Sequence, residues 1–89
     1  MFHVYILKSQ SMDSYYVGHT DDLESRIKRH NAGRNNFTKR GVPWTLVYNE
    51  LFTTRTEAMK REYEIKSKKS RAYLEKLIAV KLGERPETP

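Results

Sequence analysis

Two strand-like segments, set close together and running straight into a helix start, do most to limit how this chain can fold. Phe2 to Lys8 alternates β-branched, aromatic and aliphatic residues, and Tyr15 to Thr20 does so again after the polar stretch Ser9 to Ser14. Two such runs joined by a polar link predict an antiparallel hairpin. Thr20-Asp21-Asp22 then supplies N-cap oxygens, and Asp21 followed three residues later by Glu24 reads as a capping box. The helix this predicts runs from Asp22 to about Ala32 and stops at Gly33, a residue suited to the C′ position. Leu23 and Ile27 anchor it. Arg26 and His30, four residues apart, flank those anchors and present two polar groups towards the sheet.

Gly33 to Pro43 reads as a mobile basic loop closed by two breakers, Gly41 and Pro43. Trp44 to Phe52 alternates well enough to predict a third strand. Thr54 followed by Glu57 is a second capping box, opening a helix to about Lys66 whose core stripe is Ala58, Glu62 and Ile65, with Met59 alongside. A carboxylate within an inward stripe demands a partner, because a buried polar group left without one costs ~1–3 kcal/mol. Ser70 caps a last helix with Tyr73, Leu74, Leu77, Ile78 and Lys81 at helical spacing, and Gly83 to Pro89 reads as a frayed tail. The order β-β-α-β-α-α implies an α+β fold, an α/β sandwich with a three-stranded sheet flanked by helices. One domain over residues 1–82 accounts for all of it.

Charge narrows the function. Lys and Arg total 17 against 11 Asp and Glu, a net charge of +6. From Arg26 to Arg40 the six Lys and Arg meet no acidic residue, and from Lys60 to Arg71 six more meet only Glu62 and Glu64. Such clustering is the footprint of a surface for a polyanion, with solvated helix faces as the plainer reading. Arg29, Arg34, Lys39 and Arg40 are the candidate nucleic-acid contacts. There is no cysteine, which removes disulfides and thiolate metal sites from consideration. No stretch approaches the ~20 apolar residues of a membrane span, and the first residues lack the pattern of a secretion signal. A cytoplasmic protein is the natural expectation.

Phenols at Tyr5 and Tyr16, a guanidinium at Arg26, an imidazole at His30 and a lone helical carboxylate at Glu62 are the parts of a small phosphodiester-cleaving site. Arg26 suits the phosphoryl charge, because its planar fork binds two phosphate oxygens and keeps its proton. Glu62 suits one Mg²⁺ or Mn²⁺, since a single carboxylate plus waters is an ordinary arrangement for Mg²⁺. Tyr5 or Tyr16 can position water or take its proton, with His30 receiving the proton of the phenol. Each residue alone also has an ordinary structural reading: a sheet tyrosine, a surface arginine, a helix-face histidine, a Glu62–Lys66 salt bridge. His19 reads either as a loop residue or as a phosphate contact.

Taken in register, these residues resemble the GIY-YIG nuclease superfamily. His3-Val4-Tyr5 stands for its first motif and Tyr16-Val17-Gly18 for its second, with Arg26, His30 and Glu62 at the positions that follow. The likeness covers about residues 2 to 79 and is nearest to the small stand-alone bacterial members. It implies a metal-dependent endonuclease acting on DNA, with repair or recombination as its setting. Tyr5 would be the general base relayed by His30, Tyr16 would orient water or phosphate, Arg26 would stabilise the pentacovalent phosphorus, and Glu62 would carry Mg²⁺ or Mn²⁺. Two departures stand out: His3 replaces the name-giving glycine, and no Asn follows Asn49, where many larger members place one. A non-catalytic nucleic-acid-binding module on the same scaffold is the alternative reading.

Overall fold

The computed structural model describes residues 1–81, so the expected tail from Gly83 lies outside the described residues. Strands β1 (Phe2–Ser9), β2 (Tyr15–Thr20) and β3 (Trp44–Phe52) and helices α1 (Leu23–Asn31), α2 (Arg55–Ser67) and α3 (Arg71–Lys81) follow the expected order. The sheet is antiparallel with order β2-β1-β3. Central β1 reads as a nearly unbroken buried run: Val4, Ile6 and Leu7 are fully covered and Tyr5 is 1% exposed.

Period-two alternation divides that strand between two cores. Val4 and Ile6 join Val17, Ala58 and Ile65 beneath α2, with Tyr73, Leu74, Leu77 and Ile78 of α3 packed on them. Tyr5 and Leu7 face the opposite way, onto Tyr16, Trp44, Leu46 and the α1 anchors Leu23 and Ile27. The sheet therefore sits between α1 on one side and α2 with α3 on the other. Each fully covered aliphatic side chain contributes roughly 1.5–3 kcal/mol, which ties both layers to one strand.

Most helix ends follow the local chemistry. Thr54 forms both halves of its capping box with Glu57, and the Ser70 hydroxyl accepts from the Tyr73 amide at 3.1 Å. Gly33 ends α1 at φ +74, in the left-handed region that suits glycine. The start of α1 differs from expectation by one residue. Asp22, not Asp21, is the N-cap and accepts from the Ser25 amide at 3.1 Å, while the Asp22 amide is itself held by the Thr20 hydroxyl.

Two further expectations need correction. Met59 is 51% exposed and points away from the Ala58–Ile65 stripe. The stretch from Gly33 to Pro43 is tied down rather than loose. Thr38 is 1% exposed, a 3₁₀ turn covers Lys39–Gly41, and the Ser9 hydroxyl donates to the Gly41 carbonyl at 2.6 Å. Asn31 then clamps the entry to β3, accepting from the Trp44 amide at 2.5 Å and donating to its carbonyl at 3.1 Å. Buried polar groups in this loop have found partners, and those partners hold it.

Arg61 sets the rotation of α2. Its Nε lies 3.1 and 3.0 Å from the two Glu50 oxygens of β3, and Tyr48 donates to the same carboxylate. With Arg61 held on β3, the next residue is turned ~100° around the helix, towards β2. That residue is Glu62.

Candidate active site

The site begins at Tyr5. Its hydroxyl lies 3.1 Å from His30 Nε2, and His30 Nδ1 lies 2.8 Å from the Thr38 hydroxyl. His30 is 1% exposed, on the inward face of α1. Thr38 is fixed in turn: the Trp44 indole donates to its carbonyl at 2.7 Å, and the Asn35 side chain accepts from its amide at 3.3 Å. Tyr16 packs alongside, its ring centroid 4.8 Å from His30 and 6.2 Å from Tyr5. The two phenols and the imidazole expected to act together are together.

Gly18 makes this possible. It pairs with Tyr5 across the hairpin. A Cβ there would come within 2.7 Å of the Tyr5 hydroxyl oxygen, 2.9 Å of its Cζ and 3.1 Å of Tyr16 Cε2. The absent side chain is the space that the Tyr5 hydroxyl occupies.

Protonation follows from burial and nearby charge. Burial pushes the Tyr5 phenol well above its usual range, Tyr16 and Glu62 add to this, and Arg26 opposes it. Burial also lowers His30, and the charges of Arg26 and Arg29 lower it further. At neutral pH the phenol therefore keeps its proton and the imidazole is neutral. In the tautomer that carries its proton on Nδ1, that N–H donates to Thr38 and Nε2 accepts from Tyr5.

This pair has a pH signature. His30 titrates lower in the folded chain than its unfolded reference of ~6.5. The unfolded chain therefore takes up the proton first as pH falls. Stability from this group is present above pH ~6.5 and is lost progressively below it. In an NMR titration the His30 ring should show a midpoint below that of a free imidazole; a midpoint at or above it would mean the ring is solvated.

Arg26 lines a small cleft of about 60 Å³ together with Arg29, His30, Arg34 and Asn35. Three guanidinium groups around one recess favour an anion with several acceptor oxygens. Lys39 and Arg40 are exposed on the 3₁₀ turn and are not among the lining residues.

Glu62 arrives from elsewhere. Tyr5, Tyr16 and His30 occupy the α1 side of the sheet, whereas α2 covers the other side. The carboxylate makes no hydrogen bond to Tyr5, Tyr16 or His30, and only its charge, which raises the Tyr5 phenol, links it to them. His19, paired with Val4 and so on the α2 side, places Nδ1 2.5 Å from one Glu62 oxygen, and Lys66 Nζ is 2.5 Å from the other. Lys66 also stands 6.0 Å from the centroid of Tyr16. Burial alone would raise the Glu62 carboxyl, but the bonds from Lys66 and His19 outweigh it and hold the group below its usual value. It is ionised at neutral pH, and its charge is felt at Tyr5.

Among the described residues no group of three or more His, Cys, Asp or Glu side chains stands where it could hold a metal ion. The donor set is the single Glu62 carboxylate, each oxygen of which already accepts one bond and keeps a second lone pair. That set fits Mg²⁺, which retains much of its water shell and needs only one or two carboxylates. His19 is thus a neighbour of the acid. Its Nε2 also accepts from Arg55 Nη1 at 3.3 Å.

Sequence reasoning missed Thr38 and Asn35. The signal available was slight: a small hydroxyl residue in a basic loop, with Asn35 three positions before it as turn material.

A hairpin of phenols beside an arginine-lined recess and a buried imidazole, with one carboxylate on a later helix, is a group of side chains suited to an anionic substrate. The GIY-YIG catalytic domain family matches residues 1–76, and the chain belongs to that nuclease superfamily. Several proteins similar to it carry the name UPF0213. One from Staphylococcus haemolyticus is 48% identical over 66 residues, spanning 73% of this chain and 79% of its own length. Another, from Halobacterium salinarum, is 44% identical over 79 residues, covering 88% of this chain and all of its own. The solution NMR structure of the UPF0213 protein BH0048 from Bacillus halodurans is similar at a TM-score of 0.57 and 38% identity, over 91% of this chain and 86% of that one.

Proposed function

We propose that the protein is a metal-dependent endonuclease that hydrolyses DNA phosphodiester bonds. The observation that carries this reading is the Tyr5–His30–Thr38 hydrogen-bond chain ending beside a recess walled by Arg26, Arg29 and Arg34. A chain of that kind moves a proton, and a recess of that kind holds a phosphate.

In this reading the scissile phosphate sits against Arg26, whose fork offsets the charge that builds on the equatorial oxygens. Water attacks phosphorus and gives a proton to the Tyr5 oxygen as the phenolic proton passes to His30 Nε2. The relay matters because the Tyr5 phenol is too weak an acid to stand ionised beforehand. The imidazolium that forms is held by its Nδ1–H bond to Thr38 and is disfavoured by Arg26 and Arg29, so it returns its proton readily. Tyr16, its ring tilted against both groups, orients the water or a phosphate oxygen. Glu62 would hold Mg²⁺ or Mn²⁺, which when bound would supply positive charge that eases departure of the 3′ oxygen.

The test is a nicking assay on supercoiled, branched and single-stranded DNA, with Mg²⁺ or Mn²⁺ present and absent. Metal-dependent conversion of any substrate supports the reading. Binding with no cutting under every condition would make the chain a binding module instead.

The loop gives a separate expectation. Replacing Arg34, Lys39 and Arg40 together by Ser should weaken DNA binding and flatten its salt dependence by roughly two to three units in slope, at ~0.7–0.9 per lost phosphate contact. Turnover at saturating DNA should fall without vanishing, because Arg34 also lines the recess but Arg26 remains in it. A slope equal to that of the parent would remove the loop from the DNA interface.

A further inference from the structure

Phe37 is 92% exposed, a large apolar ring held out in water by a loop that is otherwise pinned. Its own amide donates to the Asn35 side chain at 2.8 Å, and its neighbour Thr38 is buried against His30. The backbone beneath the ring is therefore fixed one residue from the end of the proton relay. Asn35, which fixes it, also lines the arginine recess. Arg34, Lys39 and Arg40 surround it in sequence, and no Asp or Glu occurs between Glu24 and Glu50.

A ring presented in this way suits a flat, uncharged partner carried on a polyanion. An acidic peptide would match the charge but brings no planar face, whereas a nucleobase brings both in one ligand. Bases inside a duplex are already stacked on each other and offer no free face to a side chain. Resting on the nucleic-acid reading above, we infer that Phe37 is a stacking platform for an unpaired nucleobase next to the phosphate held at Arg26. The strand being cut is then single, or locally unpaired at a junction, gap or fray.

The experiment measures equilibrium binding without divalent metal, using a single-stranded oligonucleotide carrying 2-aminopurine and the matched duplex. The parent should quench the 2-aminopurine. Phe37→Ala should lose the quenching and bind the single strand roughly tenfold more weakly, with duplex binding unchanged. Phe37→Trp should restore both. Because the ring touches little of its own chain, all three proteins should melt alike.

An Ala variant that binds and quenches like the parent would overturn the stacking assignment. So would an equal loss on single strand and duplex, which marks a general loop contact. Cutting is scored separately in Mg²⁺. A parent that quenches but never cuts removes the nuclease and leaves the stack. A parent that cuts while Phe37→Ala binds normally removes the stack and leaves the nuclease.

Discussion

Arg26→Ala is expected to reduce cleavage by about a thousandfold or more while the far-ultraviolet circular dichroism stays that of the parent. The magnitude is that of removing a preorganised charge-stabilising donor, or an arginine that meets a transferring phosphoryl group. The fold should survive because Arg26 lies at the rim of the recess, and the packing of α1 rests on Leu23, Ile27 and the buried His30. Arg26→Lys keeps the charge and loses the fork, so it should fall between the two. Removing the positive charge also removes one of the influences that lower His30 and hold Tyr5 down, so the His30 midpoint should rise in the Ala variant. Glu62→Ala should abolish cleavage as well, through a different route: it leaves Lys66 and His19 without their carboxylate and takes away the proposed donor for the metal. If both variants cut as fast as the parent, the chemistry lies elsewhere on the molecule.

Gly18→Ala is the second large effect, and it comes from a single methyl group. The backbone at Gly18 is not in the left-handed region, so alanine can adopt it without strain. What it cannot do is share space with the Tyr5 hydroxyl 2.7 Å away, or with Tyr16 at 3.1 Å. Either the phenols move or the hairpin opens. Overpacking of this kind typically costs about 1–3 kcal/mol of stability. A displacement of about 1 Å at the reacting groups costs on the order of a hundredfold in rate. Single-turnover cleavage and urea unfolding on the same preparation separate the two. A rate loss larger than the stability loss explains would locate the damage at Tyr5. A variant as active as the parent would mean that the Tyr5 hydroxyl need not stay where it stands, and the relay would lose its support.

How much of this was written locally can be judged residue by residue. Thr54 and Glu57 lie three apart and form both halves of a cap, so the start of α2 was legible from four consecutive letters. The same logic misplaced the start of α1, because two adjacent aspartates compete and the Thr20 hydroxyl, by holding the Asp22 amide, decides for Asp22. Lys66 beside Glu62 was a helical-spacing expectation, whereas His19 on the same carboxylate is 43 residues distant and depends on how α2 docks on the hairpin. Thr38 was illegible for a related reason. Its partner His30 sits across the end of α1, and nothing in a basic loop marks which hydroxyl will turn inward. The rotation of α2 rests on Arg61 meeting Glu50 and Tyr48, a contact between elements that composition cannot foretell. Met59 shows the limit of a stripe read at helical spacing: its neighbour Ala58 is buried and it is not.

Glu62 belongs to the helix layer behind the sheet, and its bond to His19 on the edge strand β2 ties that layer to the hairpin. A chain in which α2 has yet to seat Ala58 and Ile65 would still possess its hairpin, imidazole and guanidinium, but would be missing the acid. Loosening α2 would shift the acid while leaving the Tyr5–His30 pair on its own elements, so the two are secured by separate layers joined through one strand.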